Sequence, residues 1–272
     1  MSAGSGETSL PAGLPELQPI VPRPDDVRQF SHRRRAGVAD VAPSGRLRLD
    51  SLARWVQDVA WADVEDAGLR ELTIWLVRRT RIRVARFPRL DERCTLTTYV
   101  TGLGRMWAER RTDITAVGEA EPAVEVSCIW VHIDPERLLP SPVHEVEIEM
   151  WCGPSTRAVK ARLRHPLPPP AGATERAWTF RASELDIALH VNNAAYFTPF
   201  DDELLALAEA GGDIAGSPAE RVDIEIEYRA PALHGERRLI VAGPMRWLVD
   251  DGGEVNASAA LADWPAEPVT RS

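Results

Sequence analysis

The sequence predicts an α+β protein built of two similar halves, each a helix laid against an antiparallel sheet. Three observations lead there. A helical stretch followed by strand-like runs occurs twice in the same order. A proline-rich segment separates the two occurrences. Downstream of the helix in each half, Pro88-Arg-Leu90-Asp-Glu92-Arg93 matches Pro231-Ala-Leu233-His-Gly-Glu236-Arg237, with Met106-Trp107 and Arg246-Trp247 following. Asp40, before the first helix, aligns roughly with Asp186 before the second. A repeat of about 143 residues is too long for a solenoid and implies an internal duplication. A helix wrapped by a sheet buries the apolar faces of both.

The elements follow in order. Residues 1–26 are rich in Pro, Gly and Ser and read as a mobile tail. The first half, 27–134, opens with a strand at 30–39. Asp50 to Ala67 is helical: Leu52, Trp55, Val56 and Val59 recur at the helical period, Asp50 or Ser51 can cap the start, and Gly68 suits the end. Strands at 72–87, 95–100, 107–115 and 124–132 complete the half; in the last, Val124, Val126, Cys128 and Trp130 alternate with Glu125 and Ser127. Residues 135–175 form a linker crossing the outside, with the run His165-Pro-Leu-Pro-Pro-Pro170 favouring extended geometry. The second half, 176–266, restarts with a strand at 178–182 and a helix at 193–210 that Gly211-Gly212 ends. In the strand 221–229, Val222, Ile224, Ile226 and Tyr228 oppose Asp223, Glu225 and Glu227. Strands at 239–242, 245–249 and 254–263 close the chain.

Composition excludes several classes. The 272-residue chain is 44% hydrophobic, enough for a sizeable core, and its net charge of -9 argues against nucleic acid as the main partner. No run approaches the roughly 18 apolar residues of a membrane span, and the N-terminus lacks the features of a secretory signal. Cys94, Cys128 and Cys152 are too widely spaced for a metal motif and read as reduced thiols in a cytoplasmic protein. HExxH, P-loop and GxGxxG patterns are absent; Gly102-Leu-Gly104 stops short. Neither a cofactor nor a metal is expected.

The most specific segment is Asp186-Ile-Ala-Leu-His190-Val-Asn192-Asn193-Ala-Ala-Tyr196. It follows no helix or strand period and joins a strand to a helix. Asn192 or Asn193 can cap that helix, and free amides at its start can stabilise a developing oxyanion. Imidazole titrates near neutral pH, so His190 can activate water; Asp186 can orient it or act itself. Each residue also has a plain structural reading: a structural histidine, an Asp bonding its own turn, two Asn caps or turn formers. Thr198-Pro199 looks like a fresh helix start, which would bend the second helix.

This DxxxHVNN…Y pattern resembles that of hotdog-fold thioesterases, and the duplicated architecture is similar to that of acyl-ACP thioesterases, which implies a tandem hotdog. The resemblance runs from about Phe30 to Trp264, with its specific motif confined to Asp186–Tyr196. It implies hydrolysis of a fatty acyl thioester by water, in fatty acid biosynthesis, with Asp186, His190, Asn192 and Asn193 at the site. Acyl carrier protein or a CoA thioester is the implied partner, with homodimerisation left open. Two departures stand out. Ala188 occupies the place of the family's DxNxHxNN asparagine. Pro231-Ala232 follows Glu227-Tyr228-Arg229-Ala230, where plant members carry Glu and Cys. Glu236 or Asp202 are candidate substitutes. The rivals are a degenerate acyl-binding module and a 3-hydroxyacyl thioester dehydratase. The run Arg78-Arg79-Thr-Arg81-Ile-Arg83-Val-Ala-Arg86 reads as a solvated strand face, or as a docking face for an acidic carrier. Trp55, Trp61 and Trp75 could line an acyl pocket.

Overall fold

Alternating apolar residues give this chain its strands, and the computed structural model joins ten of them into one continuous sheet. It describes residues 13–71, 74–210 and 221–263. The strands are β1 (Gln29–Arg35), β2 (Ile74–Val84), β3 (Arg93–Leu103), β4 (Trp107–Ala116), β5 (Val124–Ile133), β6 (Arg157–Ala158), β7 (Thr174–Phe180), β8 (Val222–Tyr228), β9 (Gly235–Ala242), β10 (Met245–Val249) and β11 (Val255–Asp263). Their order is β1-β3-β4-β5-β2-β8-β11-β10-β9-β7, with the short β6 added parallel to β3. The first five strands and the last five therefore repeat one arrangement, joined back to back where β2 pairs antiparallel with β8. Each half is a hotdog, and the two share a sheet instead of carrying one each.

One helix lies against each half. The first, α1 (Leu49–Asp66), buries Leu52, Trp55, Val56 and Val59 against the sheet. Gly68, at φ 70, ends it as the sequence suggested. Its start is not capped by Asp50 or Ser51; Arg48 stands at that position and its side chain does not cap. The second helix has two parts: a 3₁₀ turn at Asn193–Phe197 passes directly into α3 (Thr198–Ala210), so the helix type changes at Thr198. Thr198 already has helical angles, so it continues the helix, and the cap is Asn192. The linker contributes a further short helix, α2 (Glu145–Trp151), whose Trp151 packs with Leu69 and Val100.

The opposite face of the sheet overturns two expectations. In the expected tail, Leu17 and Gln18 are buried against the sheet; residues 1–12 lie outside the described part. In the arginine run, Arg79 and Arg81 are not on a solvated face, whereas Arg83 is exposed. Arg79 is 1% exposed and pairs with Glu227 at 3.0 Å, and Arg81 pairs with Asp223 at 2.6 Å. The physical reason is cover from two irregular segments. Gln18 N–H donates to Glu225, and Arg81 donates to the Gln18 carbonyl. From the linker, the Arg164 and His165 amides donate to Glu227, and Pro166 O accepts from Trp247 Nε1. His165, without visible partners in sequence, is buried beside Glu225 and Ser258.

Among the described residues, no helix is long and apolar enough to cross a membrane.

Candidate active site

The segment Leu185–Val191 closes a tight hairpin between two bridged residues. Within it, Asp186 N–H donates to His190 O at 2.9 Å and Leu189 N–H to Asp186 O at 2.9 Å. Asp186 Oδ1 accepts from Ala188 N–H at 2.9 Å, so the turn-forming role of this Asp is realised. Leu189 holds φ at 62, a left-handed conformation that costs a branched or bulky residue about 1–2 kcal/mol. His190 is exposed, and its imidazole makes no hydrogen bond to any described residue. Ile187 and Leu189 beside it are exposed too. The structure thus brings Asp186 and His190 onto one turn without a bond between their side chains.

Asn192 and Asn193 follow at the helix start. Asn192 Oδ1 caps Ala194 N–H at 2.9 Å. Asn193 O accepts from the Tyr228 hydroxyl at 3.0 Å. The Asn193 amide, first in the turn, has no partner within the helix. The two departures from the acyl-ACP thioesterase pattern meet here: Val191 N–H donates to Ala232 O at 2.8 Å, which sets the Pro231-Ala232 loop against the turn that carries Ala188.

The first half contains the same turn, sealed. Val41 and Leu47 are bridged as Leu185 and Val191 are. Ala42 N–H donates to Arg46 O, Gly45 N–H to Ala42 O, and Leu47 N–H to Pro88 O, each at 2.8 Å. Gly45, at φ 77, stands where Leu189 does. Asp186 therefore corresponds to Ala42 and His190 to Arg46. Asp40 corresponds to Glu184, not to Asp186: each closes a one-turn 3₁₀ helix by bonding an amide three residues earlier, Asp40 to Gly37 and Glu184 to Arg181. Arg46, the counterpart of His190, is buried and donates to Asp201 at 3.1 Å. Asp201 also takes the amide of Asp50 at 3.3 Å, and Leu49 N–H too. Burial pushes its carboxyl up to about 6, against the pull of Arg46.

A cavity of about 10 Å³, room for a single water, lies between α1 and the sheet, lined by Ala53, Val56, Gln57, Val77, Thr80, Cys128, Trp130 and Tyr228. Ligand pockets typically measure about 300–1,000 Å³, so an acyl chain would have to widen it. Trp130, not Trp55, Trp61 or Trp75, is the indole on its wall. Burial pushes the Cys128 thiol up to about 12, so it is no nucleophile at neutral pH. Sequence reading missed Gln57, Tyr228 and Asp201; only the repeat could have pointed to Asp201 as the partner of Arg46.

Two groups of side chains have metal-ligand chemistry: His132, His144 and Glu147, and His165, Glu225 and Glu227. Their carboxylates are already engaged. Glu147 accepts from Trp75 Nε1 and His144 N–H, and Glu227 from Arg79 and two linker amides. Both read as buried polar ties. Neither candidate substitute acid replaces the missing family residue in a bond to the motif.

Residues 29–151 match the model of the acyl-ACP thioesterase N-terminal domain. Through its first half, the chain is similar to the acyl-ACP thioesterase family. Its second half carries the motif, outside the matched residues. An uncharacterized protein of Mycobacterium tuberculosis is 27% identical over 219 residues, 80% of this chain and 83% of that protein. Three solved structures share the fold. A Lactobacillus plantarum protein assigned as an oleoyl thioesterase has a TM-score of 0.70 at 17% identity, covering 89% of this chain and 97% of that one. An acyl-ACP thioesterase from Bacteroides thetaiotaomicron has a TM-score of 0.66 at 18% identity, covering 86% and 97%. The 12:0-ACP thioesterase from Umbellularia californica has 0.65 at 16%, covering 88% and 98%.

Proposed function

We propose that this chain is an acyl-ACP thioesterase that hydrolyses fatty acyl thioesters at the Asp186–Asn193 site, with acyl-ACP as substrate and acyl-CoA as the near alternative. The observation that carries the reading is the contrast between the two copies of one turn. In the first, Arg46 and the helix amides are consumed by Asp201. In the second, the His190 imidazole is uncommitted and the Asn193 amide is free of intrahelical bonding. A helix start with a free amide is a site for a developing oxyanion. His190 takes a proton from water as its oxygen adds to the thioester carbon, and the carrier thiol leaves with a proton. Asp186, with one oxygen tied to Ala188, keeps the other to orient that water.

The test is release of free thiol from acyl-ACP and acyl-CoA across chain lengths. Turnover on fatty acyl thioesters, higher on acyl-ACP, is the expected result. Binding of acyl chains without thiol release would instead support a degenerate acyl-binding module. The convergence of Ala188, Pro231 and Ala232 on one turn, none of them supplying a polar side chain, is the observation that favours that second reading.

A further inference from the structure

We propose that the active site is completed across the two halves: the Gln57 carboxamide on α1 and the Asn193 amide together hold the thioester carbonyl oxygen. The proposal rests on the thioesterase reading and names a residue for it in the half that lacks the motif.

The sealed turn shows what this geometry accepts. At the start of α1, the Leu49 and Asp50 amides are held by a carboxylate from the other half, Asp201. An anionic oxygen therefore occupies the helix start in the first copy. In the second copy, Asn193 takes the place of Leu49, because Leu49–Asp66 and Asn193–Ala210 are helical stretches of equal length behind matching turns, the second opening on the 3₁₀ turn. Asp201 stands eight positions into its stretch, and the residue eight positions into α1 is Gln57. The halves are related symmetrically: Arg81 and Glu225, which also match in the repeat, pair directly across β2 and β8. The same symmetry that carries Asp201 to the first helix start carries Gln57 to the second.

Independent observations agree. Gln57 is half-buried and makes no hydrogen bond to any described residue. It lines the cavity together with Tyr228, whose hydroxyl bonds Asn193 O. On the wall of that cavity, Trp130 Nε1 is buried without a hydrogen-bond partner. A buried donor left unpaired is costly, and a carbonyl-bearing ligand would supply its acceptor.

The residue type fits the role. An Asp here would fill the helix start with its own charge, as Asp201 does. A carboxamide is neutral and offers two N–H donors, so it leaves the oxygen site open and adds a donor to it. The change from acid to amide between the two copies is thus the change from a closed site to an open one.

The experiment compares wild type, Gln57→Glu and His190→Ala in the full chain, on the acyl thioester that wild type cleaves best. Loss of one oxyanion donor typically lowers kcat by about 10²–10³-fold. Gln57→Glu is expected to lose that much at pH 8 with KM little changed, and to recover toward acid pH as the new carboxyl is protonated and becomes a donor. If Gln57→Glu melts lower than wild type, Gln57→Met keeps the volume without the amide and is expected to lose at least about tenfold in kcat. Wild-type kcat in both variants, with His190→Ala inactive, overturns the proposal and leaves the site standing. A wild type that releases no thiol from any acyl thioester overturns both.

Discussion

The two halves fold the same turn and use it in opposite ways. Around Ala42–Arg46, the glycine at the left-handed position is unstrained, the arginine is buried over Phe87, and Asp201 ties off the helix amides. Around Asp186–His190, a leucine bears the left-handed angle and the histidine faces solvent uncommitted. A duplicated fold with one copy's turn closed by its own side chains can leave the other copy's polar groups for a substrate.

The seam between the halves carries the same lesson. Arg79, Arg81 and Arg83 on β2 lie directly opposite Glu227, Glu225 and Asp223 on β8. The repeat sets arginines in one half at the positions of acids in the other. Were the halves identical, like charges would meet at the centre of the sheet, which is unfavourable. The divergence makes the first half a partner for the second and not for a second copy of itself.

That charge layer gives the largest expected effect. Arg79→Ala should cost at least about 3 kcal/mol in denaturant unfolding, because it takes from the buried Glu225 and Glu227 the arginine they share, leaving Glu227 to Arg229 and Glu225 to His165. A cost under about 1 kcal/mol would mean that the face is solvated after all.

Asp201 offers a pH test of the sealed turn. Its folded-state pKa is raised from 3.8 to about 6, so its contribution to stability is full below about 3.8 and is lost as pH rises through about 6. The shift corresponds to about 3 kcal/mol. Asp201→Asn should remove this decline, flattening the melting temperature between pH 4 and 7 relative to wild type. An unchanged slope would show that the carboxyl is not held in the buried site.

Ala188→Asn probes the open turn and should have the smallest effect. A restored water-orienting amide is worth about one hydrogen bond, a rise of roughly threefold to tenfold in kcat on one acyl-ACP. A neutral or harmful result would mean that Asp186 works without such an amide.

What the sequence made legible was local. The alternation in β8 placed Ile224, Ile226 and Tyr228 in the core, and the motif Asp186–Tyr196 stood out because it has no period. What stayed hidden depended on distant segments. Asp223, Glu225 and Glu227 have the pattern of a solvent face, yet residues 14–27 and the linker cover them, and irregular cover leaves no periodic trace. Gln57 looks like one more polar helix residue until the symmetry of the folded halves turns it toward the other half. The alignment of Asp40 with Asp186 failed for a related reason: matching residue types drew it, whereas the hydrogen bonds set Asp40 against Glu184.

The central claim, one open turn and one sealed copy, is tested most directly by making the same substitution in both. His190→Ala and Arg46→Ala are compared for kcat/KM on an acyl thioester, per folded molecule, and for melting temperature. Removing a positioned general base costs about 10²–10⁴-fold. The account predicts that loss for His190→Ala with an unchanged melting temperature, and for Arg46→Ala a lower melting temperature with the activity retained. A stable Arg46→Ala protein without activity, beside a fully active His190→Ala protein, would contradict it.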